Sequence, residues 1–346
     1  MKLRLFPLFL LCLTPLFGAD AAVFSRDDLQ QLDHKLESLE KTATHPFFAR
    51  HLQSLRALAT SEWARLELAG PGSRIDRTVR EDLATIAKGL DLGNDRWEAF
   101  RDAGQPLVFA YLSKRDQTLQ FYHLVLPRDW KESEKYPLYL ELHGSLGLDT
   151  RPLGWASQTL GVAPDYKAAQ CPVHTYAMAA RNGFHVLPYG RGNSGYEDIG
   201  EIDIWEALED VAGAVKIDPT RRYIYGFSMG GGGTYNLVAR RPELWAAAAI
   251  LGGSPGLRDA DDSLAAKFSG IPIFLWCGEN DPWAAGAHHK AEILVADKKA
   301  PREIVFAPNI AHAYLGDVQQ NAHTFMSAYT RPDAAVSVMR RTEEEP

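Results

Sequence analysis

The chain has 346 residues, of which 46% are hydrophobic and 23% charged, and its formal net charge is −7 at pH 7. This length and composition suit one large folded domain with an accessory element. The negative charge argues against nucleic acid or an anionic membrane as a partner. The three cysteines are too few for a disulfide framework. The sequence contains no Cys/His cluster with metal-ligand spacing, so no metal site is predicted.

The first 21 residues have the pattern of a secretory signal peptide. Lys2 and Arg4 precede an apolar run from Leu5 to Phe17, and Ala19-Asp20-Ala21 supplies small residues for cleavage. The apolar run is shorter than the roughly 20 residues that a membrane-spanning helix needs. The sequence therefore predicts an exported protein, secreted or periplasmic, that does not remain in the membrane after cleavage.

Residues 22–105 are predicted to be helical. Leu29, Leu32, Leu36 and Leu39 form one apolar stripe at helical spacing, and further helices are expected over 46–68 and about 77–90. No candidate catalytic residue lies here. We interpret the region as helices packed on the main domain; the alternative is a cap that shapes access of the substrate.

From residue 106 onwards, strand-like runs alternate with helices. Strands are predicted over 107–112, 119–127, 137–142, 184–189, 222–225, 245–251, 271–277 and 303–306, and helices over 204–215, 286–296 and 318–329. Apolar strands alternating with helices indicate a mostly parallel sheet covered on both faces. The predicted fold is α/β, an α/β-hydrolase plan of about eight strands in a domain over 106–332, with a flexible tail over 333–346.

The pentapeptide Gly226-Phe227-Ser228-Met229-Gly230 lies between a strand-like and a helix-like run. In a G-x-S-x-G turn the residues two before and two after the serine nearly touch, so both must be small. The serine projects from the carboxyl end of the strand, and the N–H of the next residue can face an oxyanion. Ser228 is thus the predicted nucleophile, and Met229 the first oxyanion donor.

Two other glycine-rich matches are set aside on chemical grounds. Gly252-Gly253-Ser254-Pro255-Gly256 also fits G-x-S-x-G, but Pro255 has no N–H to offer an oxyanion. Residues 190–195 fit G-x-G-x-x-G, yet a dinucleotide site needs a helix at once and an acid at the end of the next strand. Nucleotide binding is therefore not predicted.

Two loops that follow later strands carry the partners that a serine nucleophile needs. Asp281 follows the seventh predicted strand and His312 the eighth, which is the order of an α/β-hydrolase triad. His312 would take the Ser228 proton, and Asp281 would orient and stabilise the imidazole. Glu279 is the competing acid. Without Ser228, Asp281 before a proline would be interpreted as a turn residue.

The second oxyanion donor is expected from the loop after the third strand. There His143-Gly144-Ser145 precedes Leu146, and the Ser145 N–H is the first candidate and the Leu146 N–H the second. The His143 side chain is interpreted as a hydrogen-bonding group that fixes the loop rather than as a base.

From about Tyr136 to Tyr329 the chain resembles α/β-hydrolases of the prolyl oligopeptidase-like and the polyhydroxybutyrate depolymerase/feruloyl esterase-like branches. The motifs that carry the resemblance are Leu142-His143-Gly144, residues 191–196, 217–219, 222–231 and 278–281, and His312. It implies a serine hydrolase that works through an acyl-enzyme without a cofactor.

The resemblance also bears on the substrate. The 22–105 region cannot form the β-propeller that usually precedes the catalytic domain in the oligopeptidases, and small exported members are commonly esterases that act on acyl groups of plant polysaccharides. The resemblance therefore implies a secreted carboxylesterase acting on small or polysaccharide-linked esters. A serine peptidase without a propeller is the alternative, followed by lipase or polyester cleavage and by a binding module that has lost catalysis.

Three side chains are predicted to face the substrate, each with an ordinary structural alternative. Trp155 lies in an unusually long connection over 148–180, which suggests a functional loop. Trp283 follows the predicted acid, and Arg191 could hold a carboxylate or a sugar unless it forms a salt bridge. The sequence does not decide whether Cys171 and Cys277 form a disulfide.

Overall fold

The structure is a computed structural model that describes residues 24–91, 97–98, 101, 106–145, 182–253, 267–296, 298–313 and 315–332. The predicted signal peptide, Leu146, Trp155, Cys171, Ser254 and the tail over 333–346 lie outside the described residues.

Eight strands form one sheet in the order β1-β2-β4-β3-β5-β6-β7-β8. They are β1 (Leu107–Leu112), β2 (Leu119–Val125), β3 (Tyr136–Leu142), β4 (Phe184–Pro188), β5 (Ile217–Phe227), β6 (Ala247–Leu251), β7 (Ile273–Gly278) and β8 (Arg302–Ala307). β2 pairs antiparallel with β1 and β4, and the other neighbours pair parallel. The predicted mostly parallel sheet of about eight strands is confirmed.

Among the residues that the structure describes, three long α-helices precede the sheet, as expected, and four α-helices lie between or after its strands. They are α1 (Arg26–Thr42), α2 (Pro46–Ala69), α3 (Arg74–Asp91), α4 (Ile199–Ala214), α5 (Met229–Arg240), α6 (Ala284–Ala296) and α7 (Gly316–Ser327). α5 packs on β3, β5 and β6, whereas α7 packs on β5, β6 and β7 within a separate apolar cluster. Parallel strands are buried by helices in this way.

Two element boundaries differ from the sequence prediction. β5 begins at Ile217, five residues before the predicted start, because the chain pairs with β3 again upstream of an irregularity: Tyr136 is opposite Ile217, but Leu138 is opposite Arg222. α4 begins at Ile199 rather than Ile204. Asp198 and Glu201 have the residue types of a helix start, but Asp198 has φ 48° and its side chain makes no cap hydrogen bond.

The N-terminal helices pack along the β1 edge of the sheet. His51 Nδ1 accepts the Val108 N–H at 2.8 Å, and Ser54 Oγ accepts the Ala110 N–H at 2.9 Å. Since β1 is an edge strand, these side chains satisfy main-chain donors that have no neighbouring strand. The interpretation of helices packed on the main domain fits these contacts. None of the described helices combines the length and apolarity needed to cross a membrane.

Candidate active site

Ser228 lies at a tight turn between β5 and α5. Its φ is 59° and its ψ −119°, a conformation that a non-glycine residue adopts only when its surroundings impose it. A Cβ on Gly226 would lie 2.5 Å from the Gly230 carbonyl carbon, and one on Gly230 would lie 2.0 Å from the Leu142 oxygen. Both glycines of the motif are therefore required by close backbone contact, as expected of a nucleophile elbow.

The three residues predicted to act together are joined by hydrogen bonds. His312 Nε2 lies 2.8 Å from Ser228 Oγ, and His312 Nδ1 lies 2.6 Å from Asp281 Oδ2. The Asp281 side chain is fully buried, whereas His312 is partly exposed. The His312 ring also stacks on Phe227 at a centroid distance of 4.7 Å. This arrangement can move a proton from the serine to the imidazole while the carboxylate holds the ring.

The neighbours of Asp281 separate it from the competing acid. Asp281 Oδ1 accepts the Trp283 N–H at 2.8 Å, so the aspartate also forms the turn expected before a proline. Glu279 is exposed to solvent, and its N–H donates to Ala307 O at 2.9 Å. Asp281 is therefore the acid that the geometry brings to His312.

The first two glycines of the second G-x-S-x-G match contact the turn formed by the first match. Gly252 has φ 52°, and a Cβ there would lie 2.7 Å from the Phe227 ring. A Cβ on Gly253 would lie 2.6 Å from the main chain of Gly231. The two glycines thus let the end of β6 pack directly against the turn that carries Ser228.

The two predicted oxyanion donors lie on segments next to the nucleophile. Met229 is the first residue of α5, so its N–H has no acceptor within the helix. A Cβ on Gly144 would lie 3.5 Å from Ser228 Cβ, which brings the His143–Ser145 loop into contact with the elbow. Ser145 is exposed. His143 contacts the Gly144 and Tyr189 carbonyls, and that fits its interpretation as a loop-fixing residue.

Of the side chains predicted to face the substrate, Arg191 and Trp283 are described. Arg191 makes two hydrogen bonds to the Asp116 carboxylate, at 2.9 and 3.2 Å, and lies 3.7 Å from buried Asp203. These contacts support the salt-bridge alternative for Arg191. Trp283, two residues after the acid, is 51% exposed, so its indole is available to a ligand.

Cys277 lies at the end of β7, close to Asp281. It is free and buried, and burial, together with the Asp281 charge, raises the pKa of its thiol to about 12. It is therefore protonated at neutral pH and does not compete with Ser228 as a nucleophile. Within the described part of the chain, no group of three or more potential metal ligands occurs.

Comparison with known proteins finds a family model and solved structures that are similar to parts of this chain. The model of the dienelactone hydrolase family matches residues 199–342. A thermostable esterase is 22% identical over 66% of this chain and 64% of its own, with a TM-score of 0.50. A protein named FAE is 14% identical over 70% of this chain and 95% of its own, also with a TM-score of 0.50. The chain thus spans just under two thirds of the length of the thermostable esterase. The sheet topology and the two solved structures show the α/β-hydrolase fold, and residues 199–342 of this chain are similar to the dienelactone hydrolase family.

Proposed function

We propose that this chain hydrolyses carboxylic esters through an acyl-enzyme on Ser228. The observation that carries the proposal is the continuous hydrogen-bonded series from Asp281 Oδ2 through His312 to Ser228 Oγ, with separations of 2.6 and 2.8 Å. A nucleophile, a base within hydrogen-bond reach and a group that orients the base are what acyl transfer requires.

In the first step His312 Nε2 takes the Ser228 proton as Oγ attacks the ester carbonyl. The Met229 and Ser145 N–H groups donate to the oxyanion that forms. His312 then returns the proton to the leaving alcohol, and the ester C–O bond breaks. In the second step His312 activates a water molecule that attacks the acyl-enzyme, and the acid is released with Ser228 restored.

The ester assignment has two supports. The matching family is named for hydrolysis of a dienelactone, and a lactone is a cyclic ester. The exposed indole of Trp283, two residues after Asp281 in the sequence, offers an aromatic face on which an aromatic acyl group or a sugar ring can stack. We therefore favour small esters or acyl esters of plant polysaccharides as substrates. The chain is further proposed to be exported after cleavage of residues 1–21, which N-terminal mass determination of the secreted protein tests.

The test compares wild type with Ser228→Ala on short p-nitrophenyl esters, a feruloyl ester and Xaa-Pro anilides, together with fluorophosphonate labelling. Wild type should cleave esters and take label on Ser228, and Ser228→Ala should lose both activities. Ser254→Ala is the matched control, since it changes the serine of the second G-x-S-x-G match, and it should stay active. Cleavage of the anilides alone would replace the ester proposal with a peptidase, and a fully active Ser228→Ala would refute both.

A further inference from the structure

Tyr196 lies in the loop between β4 and α4 and is not one of the three residues proposed to carry out the reaction. Tyr196 is fully buried, and its hydroxyl donates to His143 O at 3.0 Å across 53 residues of sequence. Its ring also meets the His143 ring in a T-shaped contact with centroids 5.4 Å apart. The inference rests on the proposed function, because it concerns the two N–H groups expected to bind the oxyanion.

The first of its partners is the loop that carries Ser145. His143 begins this loop, and its imidazole lies 2.6 Å from Gly144 O and 3.0 Å from Tyr189 O. Burial lowers the pKa of His143, so the ring is neutral and one nitrogen alone carries a proton. The imidazole can therefore donate to only one of the two carbonyls at a time. The Tyr196 hydroxyl supplies a further donor that holds the main chain of the loop.

Its second partner is the helix that begins with Met229. A Cβ placed on Gly233 of α5 would lie 2.3 Å from Tyr196 Cδ2, so the ring packs directly on the helix backbone. On the opposite side, a Cβ on Gly190 would lie 2.6 Å from Tyr196 Cε1. The ring is thus enclosed between the β4–α4 loop and α5, with no room for a larger neighbour at either glycine.

Tyr196 is itself held firmly in this position. Its φ is 60°, and its N–H donates to Ser194 Oγ, which in turn donates to Gly190 O at 2.6 Å. A non-glycine residue keeps such a backbone conformation only where its surroundings fix it. One rigid side chain therefore touches both segments: the hydroxyl holds the loop two residues before Ser145, and the ring holds α5 four residues after Met229.

We propose that Tyr196 is a positioning residue that sets the separation of the Met229 and Ser145 N–H groups. Donors of an oxyanion hole act only when they are aimed at the point where charge develops. Loss of the hydroxyl releases the His143 carbonyl and lets the loop move relative to α5. The transition state should lose more binding than the ground-state ester, because the ground-state carbonyl carries less charge.

The experiment uses Tyr196→Phe in the full chain. We expect kcat on p-nitrophenyl acetate to fall about 10-fold, less than the loss caused by deleting an oxyanion donor outright, while KM changes less than about twofold. The rate of fluorophosphonate labelling should fall by a similar factor. The pH profile of kcat should keep its shape, because the His312–Asp281 pair is not touched.

Tyr223→Phe is the matched control. Tyr223 is also buried, and its hydroxyl likewise donates to a main-chain carbonyl, Tyr329 O at 2.8 Å, but that carbonyl lies outside the site. Tyr223→Phe should keep the wild-type kcat. Its melting temperature should match that of Tyr196→Phe, so that the two variants are compared at equal stability. Gly233→Ala, which pushes the ring aside, should reproduce the kcat loss.

Three results would overturn the proposal: wild-type kcat and labelling in Tyr196→Phe, an equal loss in both tyrosine variants, or a KM effect without a kcat effect. If wild type cleaves no ester, the proposed function fails instead. The labelling rates then still test the role of Tyr196, since they need no ester substrate.

Discussion

Replacing Asp281 with asparagine should disable the base without disturbing the fold, and the contacts of the carboxylate show why. Oδ1 accepts the Trp283 N–H at 2.8 Å, and Oδ2 faces His312 Nδ1 at 2.6 Å. In Asp281→Asn the amide oxygen must stay toward Trp283, because that position requires an acceptor. The amide NH₂ group then faces His312 Nδ1.

The consequence is a change of tautomer on His312. Two N–H donors cannot face each other, so Nδ1 must become the acceptor and the ring proton must move to Nε2. Nε2, however, lies 2.8 Å from Ser228 Oγ and has to accept the serine proton. The ring that carries its proton on Nε2 cannot do so. Because the Asp281 side chain is fully buried, solvent cannot substitute for the lost carboxylate.

A wrong tautomer of this kind lowers kcat by about 10⁴-fold in the chymotrypsin-type triad. We expect a loss of about 10³- to 10⁴-fold here, which corresponds to about 4–5 kcal/mol of transition-state stabilisation. KM should change little, since Asp281 lies behind His312 and touches no substrate. The thermal midpoint should also stay close to that of wild type, because the two side chains have the same shape.

The assay is steady-state hydrolysis of p-nitrophenyl acetate with circular dichroism as the check on folding. Glu279→Gln is the matched control: it makes the same isosteric change two residues earlier, on an exposed side chain, and should keep kcat within about twofold. A folded Asp281→Asn with more than about a tenth of wild-type kcat would refute the reasoning. A large loss in Glu279→Gln instead would assign the acid to Glu279.

Two further predictions concern buried groups. Burial lowers the pKa of His51 and of His185 to about 3, whereas both titrate near 6.5 when unfolded. Between pH 3 and 6.5 the unfolded state binds more protons, so lowering the pH from 6.5 to 5 should reduce the free energy of unfolding by about 1–2 kcal/mol per histidine. Urea unfolding at the two pH values measures this; unchanged stability would contradict it, and His51→Gln should reduce the dependence. Cys277, with a thiol pKa raised to about 12 by burial, should resist iodoacetamide at pH 8 in the folded protein and react in urea, as mass spectrometry can show. Rapid alkylation of Cys277 in the native protein would contradict this prediction and would show that β7 opens.

The proximity of Ser228, Asp281 and His312 could be predicted from the sequence because topology, rather than fine geometry, brings these residues together. Ser228, Asp281 and His312 each follow a strand, and β5, β7 and β8 run parallel, with only β6 between β5 and β7. The carboxyl ends of parallel strands lie at one edge of a sheet. Element type and order were therefore sufficient, and small errors in boundaries did not matter.

Other features depend on contacts that no local pattern records. Asp198 and Glu201 have the residue types that mark a helix start, yet the Asp198 side chain makes no cap hydrogen bond, so the local pattern does not describe how α4 begins. The partner of Arg191 is Asp116, 75 residues earlier, and the carbonyl that Tyr196 binds is 53 residues earlier. In each case the residue types were visible, but the pairing is set by the tertiary fold.

The contacts of the N-terminal helices could not be predicted from local patterns either. They bear on the choice between helices packed on the main domain and a cap that shapes access of the substrate. Their apolar spacing predicted three helices, but the two hydrogen bonds from β1 to His51 and Ser54 join elements 57 and 56 residues apart. β1 is four strands away from β5 in the sheet, about 19 Å at the usual strand spacing. The part of α2 around His51 and Ser54 is therefore held at that edge, about that distance from the strand that leads to Ser228. These contacts support the interpretation of α2 as the cover of an edge strand, which blocks pairing with other chains.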